Sequence, residues 1–245
     1  MRRAGTCPAV EPIPEVRGQL DRLSALLGEG TDVRAYLHSV AQVAQALVPS
    51  CVGVSITIMV DKDPYTVTAT TPATAELDAV QNVDGGPCLD ALDRGREISV
   101  PDLLDEQRWQ LFGQAAAARG VRATLSFPIR DIDDVVAGGV NMYASDPNAF
   151  AGNLRLIEVG LAADLSEVVT NADLSFLTRD DARQLPQRLD AKEKIDTAVG
   201  MLMELRGWSA DAARTRLTKA AQLADVPKDK VADVLAALTP EIPPA

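Results

Sequence analysis

The hydrophobic pattern of this chain changes character across one polar, proline-ended stretch, Thr178–Pro186. Before it, segments of period two, the spacing of a strand, interleave with segments of helical period. After it only helical spacing returns. A chain patterned in this way is expected to fold as an α+β unit followed by a small all-α unit. Its 245 residues are 47% hydrophobic and 24% charged, a globular composition with room for two modest cores.

The charge is divided at the same place. From Pro186 onward nine basic residues face nine acidic ones, so that segment is neutral and the remainder carries the whole net charge of −11. Five of the six lysines lie after residue 190. Two modules with different surfaces are the simplest expectation. An acidic chain of this kind does not coat nucleic acid along its whole surface. No apolar run approaches the ~20 residues of a membrane helix, and no apolar stretch follows the basic start at Arg2-Arg3. Cys7, Cys51 and Cys88 are too few for a disulfide scaffold. The cytoplasm is therefore the expected compartment.

Read in detail, residues 1–15 hold three prolines and are expected to form a flexible tail. A first module is expected over 16–177. It opens with helices over Val16–Leu27 and from Thr31 or Asp32 to Leu47. Cys51–Val60 alternates, with Val52, Val54, Ile56, Ile58 and Val60 on one face, and predicts a half-buried strand. Tyr65–Thr70 returns after a turn. Short helices follow over Pro72–Gln81 and Cys88–Asp93, then a strand over Glu97–Val100 and a helix over Asp105–Arg119. Strands over Val121–Ile129 and Val135–Tyr143 are joined by the turn Asp131–Asp134. A long helix, Asn153–Leu177, closes the module. This order predicts an antiparallel sheet with terminal helices on one face and short helices on the other.

Residues 178–187 are the expected linker, and 188–240 the second module. Ile195, Ala198, Val199, Leu202 and Leu205 form one helical stripe, ended by Gly207. Ser209 is placed to cap a second helix, with Asp211 in its first turn. A third helix starts at Asp225-Val226-Pro227. Three helices joined by tight turns make a bundle.

Two sets of residues resemble known families. Asp84-Gly85-Gly86-Pro87-Cys88-Leu89-Asp90, Val100-Pro101-Asp102-Leu103, Trp109–Phe112, Gly120–Ile129 and Gly139–Tyr143 are similar to GAF domains, over roughly Val33–Val168. Ile195, Ala198-x-Gly200-Met201-Leu202-Met203, Arg206-Gly207-Trp208-Ser209-Ala210-x-Ala212, Arg216-Leu217 and Ala220-Ala221 resemble the ANTAR domain, an RNA-binding antitermination module. GAF followed by ANTAR is a recurrent architecture. The resemblance implies a GAF-type α+β sheet flanked by helices and a three-helix bundle behind it. It implies a signal-responsive regulator that binds paired stem-loops of a nascent transcript, acts as a homodimer and takes a small-molecule ligand in the GAF module. It names no cofactor.

Within the bundle, Lys192, Lys194, Arg206, Arg214, Arg216 and Lys219 are the candidate phosphate-binding residues. Ile195, Ala198, Gly200, Leu202, Met203, Ala212 and Leu217 are the candidate structural core, with small residues allowing helices to approach. Trp208 either stacks on a loop base or packs at the turn between helices, and packing is favoured. The chain departs from the ANTAR pattern at Val199 and Thr218, where cations are frequent. Either the neighbouring cations compensate, or RNA binding is weak. The competing reading is a sensor whose helices hold a protein partner. A third is redox catalysis by Cys88 at a helix start, which would need a resolving thiol. His38 is the only histidine and has no metal-ligand spacing around it.

Overall fold

A computed structural model of the chain describes residues 33–60, 62–131, 133–152, 157, 161 and 191–238. The expected tail, first helix and linker, and nearly all of the long helix over 153–177, lie outside the described residues.

The first module opens with helix α1 (Val33–Ala46). Strands β1 (Cys51–Val60) and β2 (Asp63–Ala69) follow. Helices α2 (Pro72–Asp84) and α3 (Pro87–Arg94) then lead to β3 (Ile98–Val100). Helix α4 (Gln110–Ala118), β4 (Ala123–Arg130) and β5 (Val136–Ala144) complete it. All five strands pair antiparallel in the order β2-β1-β5-β4-β3. As expected, the sheet is sandwiched. On one face Leu37, Val40, Ala41 and Ala44 of α1 share a buried cluster with Val54, Ile56, Ile58, Phe127, Met142, Ile157 and Leu161. On the other face α2, α3 and α4 bury Leu77, Val80, Val83, Ala91, Phe112 and Ala115.

Three expectations are corrected. Val52 does not share the core face of β1 and is 39% exposed, because the pairing with β5 slips between Cys51 and Gly53 and turns Cys51 inward instead. The polar side of β1 is not solvated: Ser55 and Thr57 are buried, since helices cover both faces. The helix expected from Asp105 begins at Gln110. Upstream, Asp102 Oδ1 accepts from the Leu104 amide at 3.0 Å and Glu106 Oε1 accepts from the Arg108 amide at 2.8 Å. These local bonds give the backbone an alternative to the helix.

The second module is three helices, α5 (Ala191–Arg206), α6 (Ala210–Leu223) and α7 (Lys228–Ala236). Their core is built of small and branched residues: Ala198, Leu202, Ala213, Leu217, Ala221, Val231 and Leu235. The bundle does not stand apart. Helices α6 and α7 lie against α2, and one apolar cluster runs from Phe112 and Leu77 into Leu217 and Leu235 without a break.

Candidate nucleic-acid interface

The geometry of the bundle is fixed at one corner. Gly207 closes α5 in the left-handed region, with φ of 66°, a conformation a side chain would strain. Ser209 then caps α6, its Oγ accepting from the Ala212 amide at 3.2 Å. Both features were expected from sequence. Trp208 lies between them, partly buried and packed against the shared core, and the Arg216 guanidinium sits 4.4 Å over its ring. Packing at the turn is therefore the role this arrangement gives Trp208.

The six candidate cations have separate settings. Lys194 pairs with Asp233 at 2.7 Å and Arg214 with Asp196 at 2.5 Å, both within the bundle. Arg206 pairs with Asp84 at the end of α2, and Lys219 with Asp63 of β2 at 2.6 Å. These two pairs cross to the first module. Arg216 stacks on Trp208, and the side chain of Lys192 lies outside the described residues. Arg206, Arg214, Arg216 and Lys219 are all exposed, on α6 and the adjoining end of α5. Sequence reasoning missed Lys228, whose Nζ lies 3.5 Å from Thr218 Oγ1 and brings a cation to that departing position. The other departure, Val199, is buried at 2% exposure in the shared core, where packing calls for an apolar side chain.

The proposed structural residues divide. Ala198, Leu202 and Leu217 are fully buried, and Ile195 packs partly buried beside them. Gly200, Met203 and Ala212 are not core. Met203 is 40% exposed, Ala212 is exposed, and a Cβ built on Gly200 would meet nothing. The helical period explains this: Gly200 and Met203 project from the side of α5 opposite Ala198 and Leu202, and Ala212 projects away from Ala213. Leu205, expected in the stripe, is 52% exposed in the last turn, and Met201 is buried instead.

A second polar assembly lies inside the first module, between the sheet and helices α2 and α3. Asp78, fully enclosed, accepts from Tyr143 Oη at 2.5 Å, Thr66 Oγ1 at 3.0 Å and Asn141 Nδ2 at 3.4 Å. Gln81 Nε2 donates to Tyr143 Oη at 2.9 Å, and Gln81 Oε1 accepts from the Cys88 amide at 2.8 Å. Burial pushes the Asp78 carboxyl up from its ordinary value, against the pull of these donors. The space beside the cluster is about 10 Å³, room for about one water. Asp78 and Gln81 stand one turn apart on α2, the signal in the sequence that could have marked them. Burial also pushes the Cys88 thiol up to about 12, with the Asp78 charge adding to it, so it is not a reactive thiolate. Cys51 lies in the cluster on the opposite face of the sheet and is held at about 11, chiefly by burial. His38 Nδ1 lies 2.9 Å from Thr68 Oγ1, a hydrogen bond between α1 and β2.

With this geometry in view, comparison with known proteins is specific for both modules. Residues 30–159 match the family model of the GAF domain. The chain belongs to the GAF domain family. Residues 183–235 match the ANTAR domain, so the architecture is GAF followed by ANTAR, which points to signal transduction and regulation. Among solved structures, fRMsr of Staphylococcus aureus in its reduced form is 12% identical, with a TM-score of 0.49 over 67% of this chain and 100% of that one. The GAF domain from Acinetobacter phosphoenolpyruvate-protein phosphotransferase is 15% identical, with a TM-score of 0.47 over 64% and 94%. A free methionine-R-sulfoxide reductase from Neisseria meningitidis is 16% identical, with a TM-score of 0.48 over 63% and 87%. None of the curated proteins is significantly similar in sequence. No helix among the described residues is long and apolar enough to cross a membrane.

Proposed function

We propose that this GAF-ANTAR protein is a signal-responsive RNA-binding regulator. Its bundle binds paired stem-loops in a nascent transcript and stabilises an antiterminator over a terminator hairpin. The observation that carries this reading is the ANTAR match over 183–235 together with four exposed cations, Arg206, Arg214, Arg216 and Lys219, at one end of α5 and along α6. Lys228 beside Thr218 adds a fifth to the same region. RNA affinity of this kind rests on phosphate neutralisation, and exposed arginines and lysines supply it. A homodimer would present two bundles to two loops and raise the effective concentration of the second contact. A ligand of the GAF module would act through its different affinity for two arrangements of the protein. The alternative, a bundle that holds a protein partner, draws on the ion pairs that already occupy Lys194, Arg206, Arg214 and Lys219.

The test is binding of the full-length protein to a tandem stem-loop RNA and to a loop-scrambled control at two salt concentrations. The proposal expects loop-dependent, salt-sensitive binding. Equal binding to both RNAs, or none, contradicts it.

A further inference from the structure

Two of the three ion pairs that cross between the modules among the described residues use cations of the proposed RNA surface. Arg206 reaches Asp84, which also feels the charge of Arg216, and Lys219 reaches Asp63 at 2.6 Å. The Asp84 side chain is 9% exposed, so its charge is partly withdrawn from water at the seam. The seam itself is apolar, with α6 and α7 packed on α2. The acids belong to the module that carries the whole negative charge of the chain, and the cations to the neutral one.

We propose that the GAF module regulates RNA binding by competition: Asp84 and Asp63 occupy Arg206 and Lys219 as carboxylate stand-ins for RNA phosphates, so the packed arrangement is the low-affinity state. This rests on the RNA-binding reading above. A phosphate must displace a carboxylate already seated on each cation. While the carboxylate stays seated the phosphate contact is not made, and the counterion it would displace stays on the RNA. Any signal that draws the bundle away from the GAF module, opening both the α5–α2 and the α6–β2 contact, frees both cations at once, and the reciprocal follows: bound RNA weakens the seam. The third cross-module pair, Arg34–Asp225 at 2.5 Å, has the opposite polarity and takes no cation from the bundle.

The experiment compares full-length protein with Asp63→Asn/Asp84→Asn, using the tandem stem-loop RNA across a salt series. A control, Asp133→Asn/Asp146→Asn, removes the same charge from exposed acids of the GAF module that hold no bundle cation. Hydrogen exchange over α2 and α6 reports whether the seam has loosened. With each pair contributing at the scale of a surface or half-buried ion pair, the inference expects affinity to rise about three- to thirtyfold at low salt. The slope of log K against log salt should steepen by about 0.7 for each freed phosphate contact. An unchanged affinity and slope in Asp63→Asn/Asp84→Asn, or an equal rise in the control, overturns the inference and leaves RNA binding standing. Absence of binding by all three proteins overturns the RNA reading, and the inference falls with it.

Discussion

The two modules bury their cores by different means. The GAF module encloses a sheet between helices on both faces, and it affords a buried carboxylate, Asp78, because three side-chain donors converge on it. The bundle has no such network among the described residues. It is built of alanines with a few leucines and valines, and its core continues into α2. A unit of under about 60 residues buries too small a fraction of its surface to be more than marginally stable alone. The GAF module thus specifies its fold from within, and the bundle leans on its neighbour. Coupling the regulator's two halves through packing follows from that difference in size.

The largest effects should appear where each core is broken. Leu217→Ala empties the centre of the bundle beside α2 and should cost about 3 kcal/mol. The only two tryptophans, Trp109 and Trp208, report one from each module. Urea unfolding followed with single-tryptophan variants should show one shared transition for the intact chain and an earlier Trp208 transition for Leu217→Ala. Two separate transitions in the intact chain would mean that the bundle does not lean on the GAF module.

Asp78→Ala should be comparably damaging in the GAF module, since it strands Tyr143, Thr66 and Asn141 donors, at about 1–3 kcal/mol. Asp78→Asn is the gentler probe of charge. The folded carboxyl titrates above its unfolded value, so the folded state holds the proton more tightly. Stability from this group is therefore present below an unfolded pKa of about 3.9 and is lost as pH rises toward the folded value. Unfolding midpoints measured from pH 4 upward should fall in the native protein relative to Asp78→Asn. Parallel curves would mean that Asp78 is not desolvated as described.

The smallest effect lies on the outer side of α5. Gly200 sits inside a helix with open space at its Cβ, so nothing within the described chain requires a glycine there. Gly200→Ala should stabilise the bundle by up to about 1 kcal/mol, read as a shift in thermal midpoint. A loss of stability would show that this side of α5 is packed against something.

Much of this architecture was legible in the chain. Alternation over Cys51–Val60, the turn at Asp131–Asp134, the stop at Gly207 and the cap at Ser209 are local signals, and the structure follows them. What was not legible depends on partners distant in sequence. Whether Val52 or Cys51 turns inward is decided by a slip against β5. Ser55 and Thr57 read as a solvent face, because only the arrival of α2 and α3 covers them. Gly200 and Met203 belong to a recognisable motif, but a motif does not say which side of the helix meets the core. The candidate cations were found by composition and resemblance. Their division into pairs within the bundle and pairs across the seam is set by the docking of α6 on α2, which no local pattern encodes.

The account's central claim is that RNA is held by the bundle and not by the GAF module. The most direct measurement is RNA affinity of the full-length protein after removing two exposed arginines from each module in turn, Arg214→Ala/Arg216→Ala against Arg94→Ala/Arg96→Ala. The account predicts that the first pair weakens binding about tenfold or more and flattens the salt slope by about 0.7 per lost contact, while the second leaves both nearly unchanged. Equal losses from the two modules, or a loss confined to Arg94 and Arg96, would contradict it.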